Sequence, residues 1–167
     1  MTQNERELIG KLMSDSISDR GFLENFTVNI AENPNYFRQL LKEAYDEKNS
    51  YDVDYLIYIG FTFNLFTEEY VEILCKLIEA SWHEQHENIA TLFQFLKSTK
   101  SIESLYKTAI THFEYLDYDD SYALAVKCIW ALGDINTIEA RKKLELLSES
   151  DNEIIRNNAL KQLKRNK

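Results

Sequence analysis

The sequence predicts an all-α protein, an α-solenoid of about four helix pairs behind an N-terminal helical cap. Three observations carry that expectation. The 167 residues include one proline and four glycines, too few turn residues for a sandwich or barrel of many short strands. Apolar residues recur at i, i+3, i+4 and i+7 in one segment after another, and no period-2 run of strand length appears. The breaks between these segments fall at a nearly constant interval. First helices of pairs are expected from Pro34, Thr67, Ser101 and Thr137, in steps of 33, 34 and 36 residues. Second helices are expected from Asp52, Gln85, Asp120 and Asn152, in steps of 33, 35 and 32. One amphipathic pair cannot cover its own apolar face, so neighbouring pairs stack and share a core.

The elements follow in order. Residues 1–31 read as the cap. In the pair 34–64, Asn33 caps a helix with Pro34 at its first position, running to about Glu47. In the pair 67–97, Thr67 is a candidate N-cap with Glu68 and Glu69 in the first turn, and Val71, Leu74, Cys75 and Ile78 share one face. Ile89, Leu92, Phe93 and Leu96 repeat that spacing in its second helix. In the pair 101–133, Leu124, Cys128, Ala131 and Leu132 form the stripe and Gly133 is read as closing the helix. In the pair 137–164 the last stripe is Ile155, Ala159 and Leu163. With 44% hydrophobic and 13% aromatic residues, the whole of 1–167 is expected to form a single repeat domain with a continuous core.

The last quarter carries a more specific signal. Ala125, Cys128, Ala131, then Leu132-Gly133-Asp134-Ile135, Ala140, Leu144, Leu147 and Asp151, and finally Ile155-Arg156, Ala159, Lys161 and Leu163 form an alanine-spaced helix, an apolar helix, an acidic turn and a helix opening on Ile-Arg. This stretch resembles the HEAT-like repeat of bacterial phycobilisome-lyase-type proteins. The upstream pairs share only its period and apolar spacing. The resemblance implies a right-handed solenoid of HEAT-like pairs and leaves the function open, because such repeats host many roles.

Charge narrows the function classes. With 19 Lys+Arg against 28 Asp+Glu, the net charge is −9, which repels phosphate backbones and disfavours direct binding of nucleic acid, a HEAT-like DNA glycosylase included. The richest apolar stretch, residues 55–66, is interrupted by Gly60, Thr62 and Asn64 and falls short of the ~20 residues of a membrane span. The opening MTQNERELIGKLM has no apolar h-region. Cys75 and Cys128 sit inside apolar patterns, without a CxxC or a disulfide framework. A cytoplasmic protein without membrane partners is the expectation.

Catalytic and metal motifs are sparse. Trp82-His83-Glu84-Gln85-His86-Glu87 places two of the three histidines three residues apart, whereas the zinc-protease motif needs four. His83, His86 and Glu87 on one helix face stand as the single metal-enzyme alternative. The residues three before His83, His86 and His112 are Ala80, His83 and Ala109, so no Glu-x-x-His exists for a di-iron bundle. No Gly-x-Ser-x-Gly elbow or glycine-rich phosphate loop appears. The reading is a non-enzyme with neither cofactor nor metal.

The unusual feature is tyrosine interleaved with acid. Residues 43–58 hold five acids, one lysine and four tyrosines; residues 113–122 hold four acids, no base, three tyrosines and a phenylalanine. Each run bridges the two helices of a pair, and Trp82, Glu84 and Glu87 stand at the equivalent place between them. In a regular solenoid they form one acidic, aromatic edge. The candidate partner-binding residues are therefore Tyr51, Asp52, Asp54, Tyr55, Trp82, Glu84, Glu87, Tyr115, Asp117, Tyr118, Asp119, Asp120 and Tyr122. Tyrosine and tryptophan anchor interfaces, and a field of one sign steers a basic partner. The expected function is a protein-binding module, an immunity protein blocking a basic, nuclease-type bacterial toxin domain, for example in contact-dependent growth inhibition. A HEAT-like scaffold or regulatory subunit of an enzyme complex is the alternative. Five of the 19 bases lie beyond Ile155 and no acid does, which leaves residues 1–155 at −14. That basic tail reads as a terminal cap complementing its helix dipole.

Overall fold

The computed structural model describes residues 1–165. The protein is all-helical, with ten α-helices and no strand among the described residues. Its contacts divide it into two compact units, Met1–Phe66 and a second beginning at Thr67.

The first unit comprises α1 (Gln3–Met13), α2 (Asp19–Asn25), α3 (Pro34–Asp46) and α4 (Ser50–Thr62). A capping box opens α1: the Thr2 side chain accepts the Glu5 N–H, and the Glu5 carboxylate accepts the Thr2 N–H at 2.7 Å. Glu5 is buried and also accepts the Tyr36 hydroxyl of α3 at 2.5 Å. Burial pushes the Glu5 carboxyl up, but the hydrogen bonds from Tyr36 and Thr2 outweigh it and hold the group below its usual range. The same burial and the neighbouring Glu5 push Tyr36 up to about 12. Arg6 of α1 reaches Asp52 of α4 through two hydrogen bonds, 2.6 and 2.8 Å. The core below is aromatic, with Phe22 against Phe26 and Phe63 at ring separations of 4.9 and 5.4 Å. Gly60 lets Phe66 lie on α4, since a Cβ there would come within 2.2 Å of the Phe66 ring.

The second unit comprises α5 (Val71–Ile78), α6 (His86–Leu96), α7 (Ile102–Ile110), α8 (Ala123–Ile135), α9 (Ile138–Leu147) and α10 (Glu153–Arg165), with 3₁₀ turns at Glu68–Tyr70, Thr99–Ser101 and Glu114–Leu116. Helix α8 is the hub, packing against α6, α7, α9 and α10, while α7 also touches α5 and α9. Leu74, Leu77, Ile89, Phe93, Leu105, Cys128, Leu132, Leu144 and Ala159 are all buried, as their helical spacing predicts. Burial pushes the Cys128 thiol far up, as expected of an inert core thiol.

Three local expectations are corrected. Asn33 stands at the N-cap position of α3, but its side chain makes no capping hydrogen bond and donates to the Asn29 carbonyl at 3.1 Å. Thr67 makes no side-chain capping hydrogen bond; the chain enters α5 through the 3₁₀ turn. Gly133 does not close α8. The helix continues to Ile135 and ends at Asn136 in the left-handed region, φ 49°. Gly133 is a point of close approach instead: a Cβ there would lie 2.3 Å from the Gln162 side-chain oxygen of α10, and Gln162 is fully buried. Gly133→Ala is therefore expected to destabilise by about 1–2 kcal/mol, because overpacking outweighs the ~1 kcal/mol of helix propensity gained. In a Gln162→Ala background the same change should turn stabilising; urea unfolding of the four variants measures this, and additive effects would refute the contact.

Candidate functional site

The loop from α7 to α8 contains the most site-like geometry. Helix α7 ends at Ile110, the chain extends through Thr111, and the 3₁₀ turn Glu114–Leu116 leads into an acidic hairpin. Asp119 organises that hairpin. Its carboxylate accepts the Ser121 N–H at 3.0 Å, the Ser121 hydroxyl, and the Ala123 N–H at 2.7 Å. These bonds hold its carboxyl below the usual range, and the one from Ala123 satisfies the first N–H of α8. Tyr122 stands at the N-cap position of α8 in the left-handed conformation, φ 53° and ψ 41°, which a bulky side chain seldom adopts. The bend opens a pocket of about 320 Å³. Ala109, Phe113, Leu116, Leu124, Ala125 and Ile155 supply apolar lining; Asp117, Asp119, Asp120, His112 and Tyr122 supply the polar part. Among the described residues no lysine or arginine lines it.

Beside the pocket runs a stack of rings. Trp82 stands edge-on to His83 at 5.0 Å, His83 stacks on His86 at 4.5 Å, and His86 lies 4.2 Å from Phe113 and 5.5 Å from Tyr115. Both histidines are buried. Carbonyl oxygens only accept, so His83 Nε2–H donates to Leu77 at 2.9 Å and His86 Nε2–H donates to Ala80 at 2.7 Å. The Gln85 N–H donates to His83 Nδ1 at 3.0 Å, and the Tyr115 hydroxyl donates to His86 Nδ1 at 2.9 Å. Burial pushes both imidazoles down, and with His83 beside it His86 falls to about 4. Burial first, and then Glu87 and Glu84 nearby, push the Tyr115 phenol well up. Every ring nitrogen of the pair has a protein partner. No cluster of three or more metal-ligating side chains forms among the described residues.

The remaining candidates scatter in character. Tyr51 and Tyr118 are 75% and 82% exposed. Tyr55 is half-buried and, with Tyr51 and Arg6, borders an open groove of the first unit. Asp54 and Trp82 are half-buried, and Glu84 and Asp120 are exposed. Glu87 pairs with Lys127 at 3.0 Å, and Asp117 lies 3.4 Å from His112. Asp52 is corrected outright. It is fully buried on Arg6 and presents no carboxylate to a partner. The pocket lining was beyond sequence reasoning, since Ala109, Leu124 and Ile155 belong to three helices and look like ordinary core.

Compared with known protein-family models and with curated proteins, the chain finds no match in either. Among the described residues no helix is long and apolar enough to cross a membrane.

Proposed function

We propose that this is a non-catalytic, acidic HEAT-like solenoid that binds a basic protein, acting in the cytoplasm as an immunity protein that blocks a nuclease-type toxin domain. The observation that carries the reading is the α7–α8 loop. Asp117, Tyr118 and Asp120 are exposed around a pocket that no lysine or arginine lines among the described residues, the combination that favours a cationic partner. A stacked repeat architecture is supported by the second unit, where α5, α7 and α9 neighbour one another in turn, as do α6, α8 and α10. Full occupation of the His83 and His86 nitrogens supports a structural role for that pair.

The test is a set of basic nuclease domains from bacterial contact-dependent toxins, assayed for inhibited cleavage and for association rate. One member should be bound with an on-rate that falls as salt rises, because exposed charges are screened over ~10 Å at 0.1 M. Asp117→Lys with Asp120→Lys should slow association at low salt by about tenfold or more while leaving the helical signal intact. A salt-independent on-rate, or an unchanged rate in the double variant, argues against this surface.

A further inference from the structure

We propose that the pocket between α7, the acidic hairpin and α8 receives the side chain of a single arginine from the protein partner. The inference rests on the reading above and narrows it to one recognition element. Its size places it at the small end of ligand pockets, suited to one long side chain rather than to a cofactor. Its chemistry is divided in the way an arginine is divided. Ala109, Phe113, Leu124 and Ile155 offer apolar surface to the methylene stem, and Asp117 and Asp120 are exposed carboxylates for the head.

Guanidinium is favoured over ammonium for two reasons. It is more weakly hydrated, so entering a half-apolar pocket sacrifices less solvation, and its flat face stacks on aromatic rings such as Tyr122, which is 44% exposed at the pocket. Asp119 is already committed to Ser121 and Ala123, so it shapes the hairpin and adds field. His112, 3.4 Å from Asp117, is the one basic side chain lining the pocket among the described residues, and an incoming guanidinium competes with it for that carboxylate.

The experiment is an amide-resolved NMR titration of the full chain at low salt with three probes of similar shape: n-butylguanidinium, n-butylammonium and uncharged N-butylurea. Butylguanidinium should shift the amides of Leu116, Asp120, Tyr122 and Leu124 with a Kd on the order of 1–10 mM. Butylammonium should bind a few-fold more weakly, and butylurea should leave those amides unmoved. Asp117→Asn with Asp120→Asn should weaken butylguanidinium about tenfold. The wild-type comparison of guanidinium with urea stands even if a variant misfolds. Equal shifts from butylurea, equal affinity for butylammonium, or no shift from butylguanidinium at about 50 mM would each overturn the arginine pocket. If a basic nuclease domain is still bound with salt-sensitive rates, only the pocket has failed. If that binding is absent as well, the reading beneath it has failed.

Discussion

Arg6→Ala is expected to cost about 3–5 kcal/mol, more than any surface substitution in this chain, because it strands a buried charge. Asp52 is fully buried, and Arg6 supplies both of its short hydrogen bonds, 2.6 and 2.8 Å. Without the guanidinium, the carboxylate keeps, among the described residues, the Met1 amino group at 3.6 Å. The cost is a desolvation cost. Replacing both partners with apolar residues, Arg6→Met with Asp52→Leu, should therefore recover most of the loss and come within about 1 kcal/mol of the wild type. Chemical unfolding of the single and double variants measures both quantities. A loss below about 1 kcal/mol for Arg6→Ala would place the pair among ordinary surface salt bridges.

The same pair shows where sequence reasoning ends. The helices were legible because apolar spacing is a local signal. Expected starts at 34, 101 and 137 meet α3 at Pro34, α7 at Ile102 and α9 at Ile138, and expected starts at 52, 85, 120 and 152 meet α4, α6, α8 and α10 within three residues. Asp52 was misplaced because an aspartate is exposed unless a partner is near, and its partner stands 46 positions away in α1. Gly133 was misread for a similar reason: what it accommodates is a glutamine of α10, not a turn of its own helix. The histidines were half legible. Their nearness in sequence was plain, but His83 precedes α6 and shares no helix face with His86 and Glu87, and the groups that complete the two rings, the Leu77 and Ala80 carbonyls at the end of α5 and the Tyr115 hydroxyl beyond α7, come from elsewhere in the fold. Those carbonyls lie where a helix leaves acceptors unsatisfied, and two neutral imidazoles answer them.

That arrangement has a consequence in acid. His86 is held neutral down to about pH 4 in the folded protein, against an ordinary histidine value of 6.5. Above pH 6.5 both the folded and the unfolded chain carry it neutral, and its contribution to stability is complete. As the pH falls below 6.5 the unfolded chain takes up the proton first, so stability declines until about pH 4, where the folded protein binds it too. From this group alone the loss is about 3 kcal/mol, and the buried, similarly depressed His83 adds to it. Carboxylates confuse the lower part of that range, because Glu5 and Asp119 are both held below their ordinary values. The clean window is pH 6.5 to 5. Within it stability should fall by about 2 kcal/mol through His86, and in His86→Phe with Tyr115→Phe the slope should lessen by nearly one proton. The double change removes the half-buried phenol that His86→Phe alone would leave without its acceptor. Unfolding at a series of pH values measures the slope, and ring-proton NMR of His86 reads the titration directly. A His86 midpoint near 6.5, or an unaltered slope in the double variant, would mean that the buried ring stack does not set the acid stability of this protein.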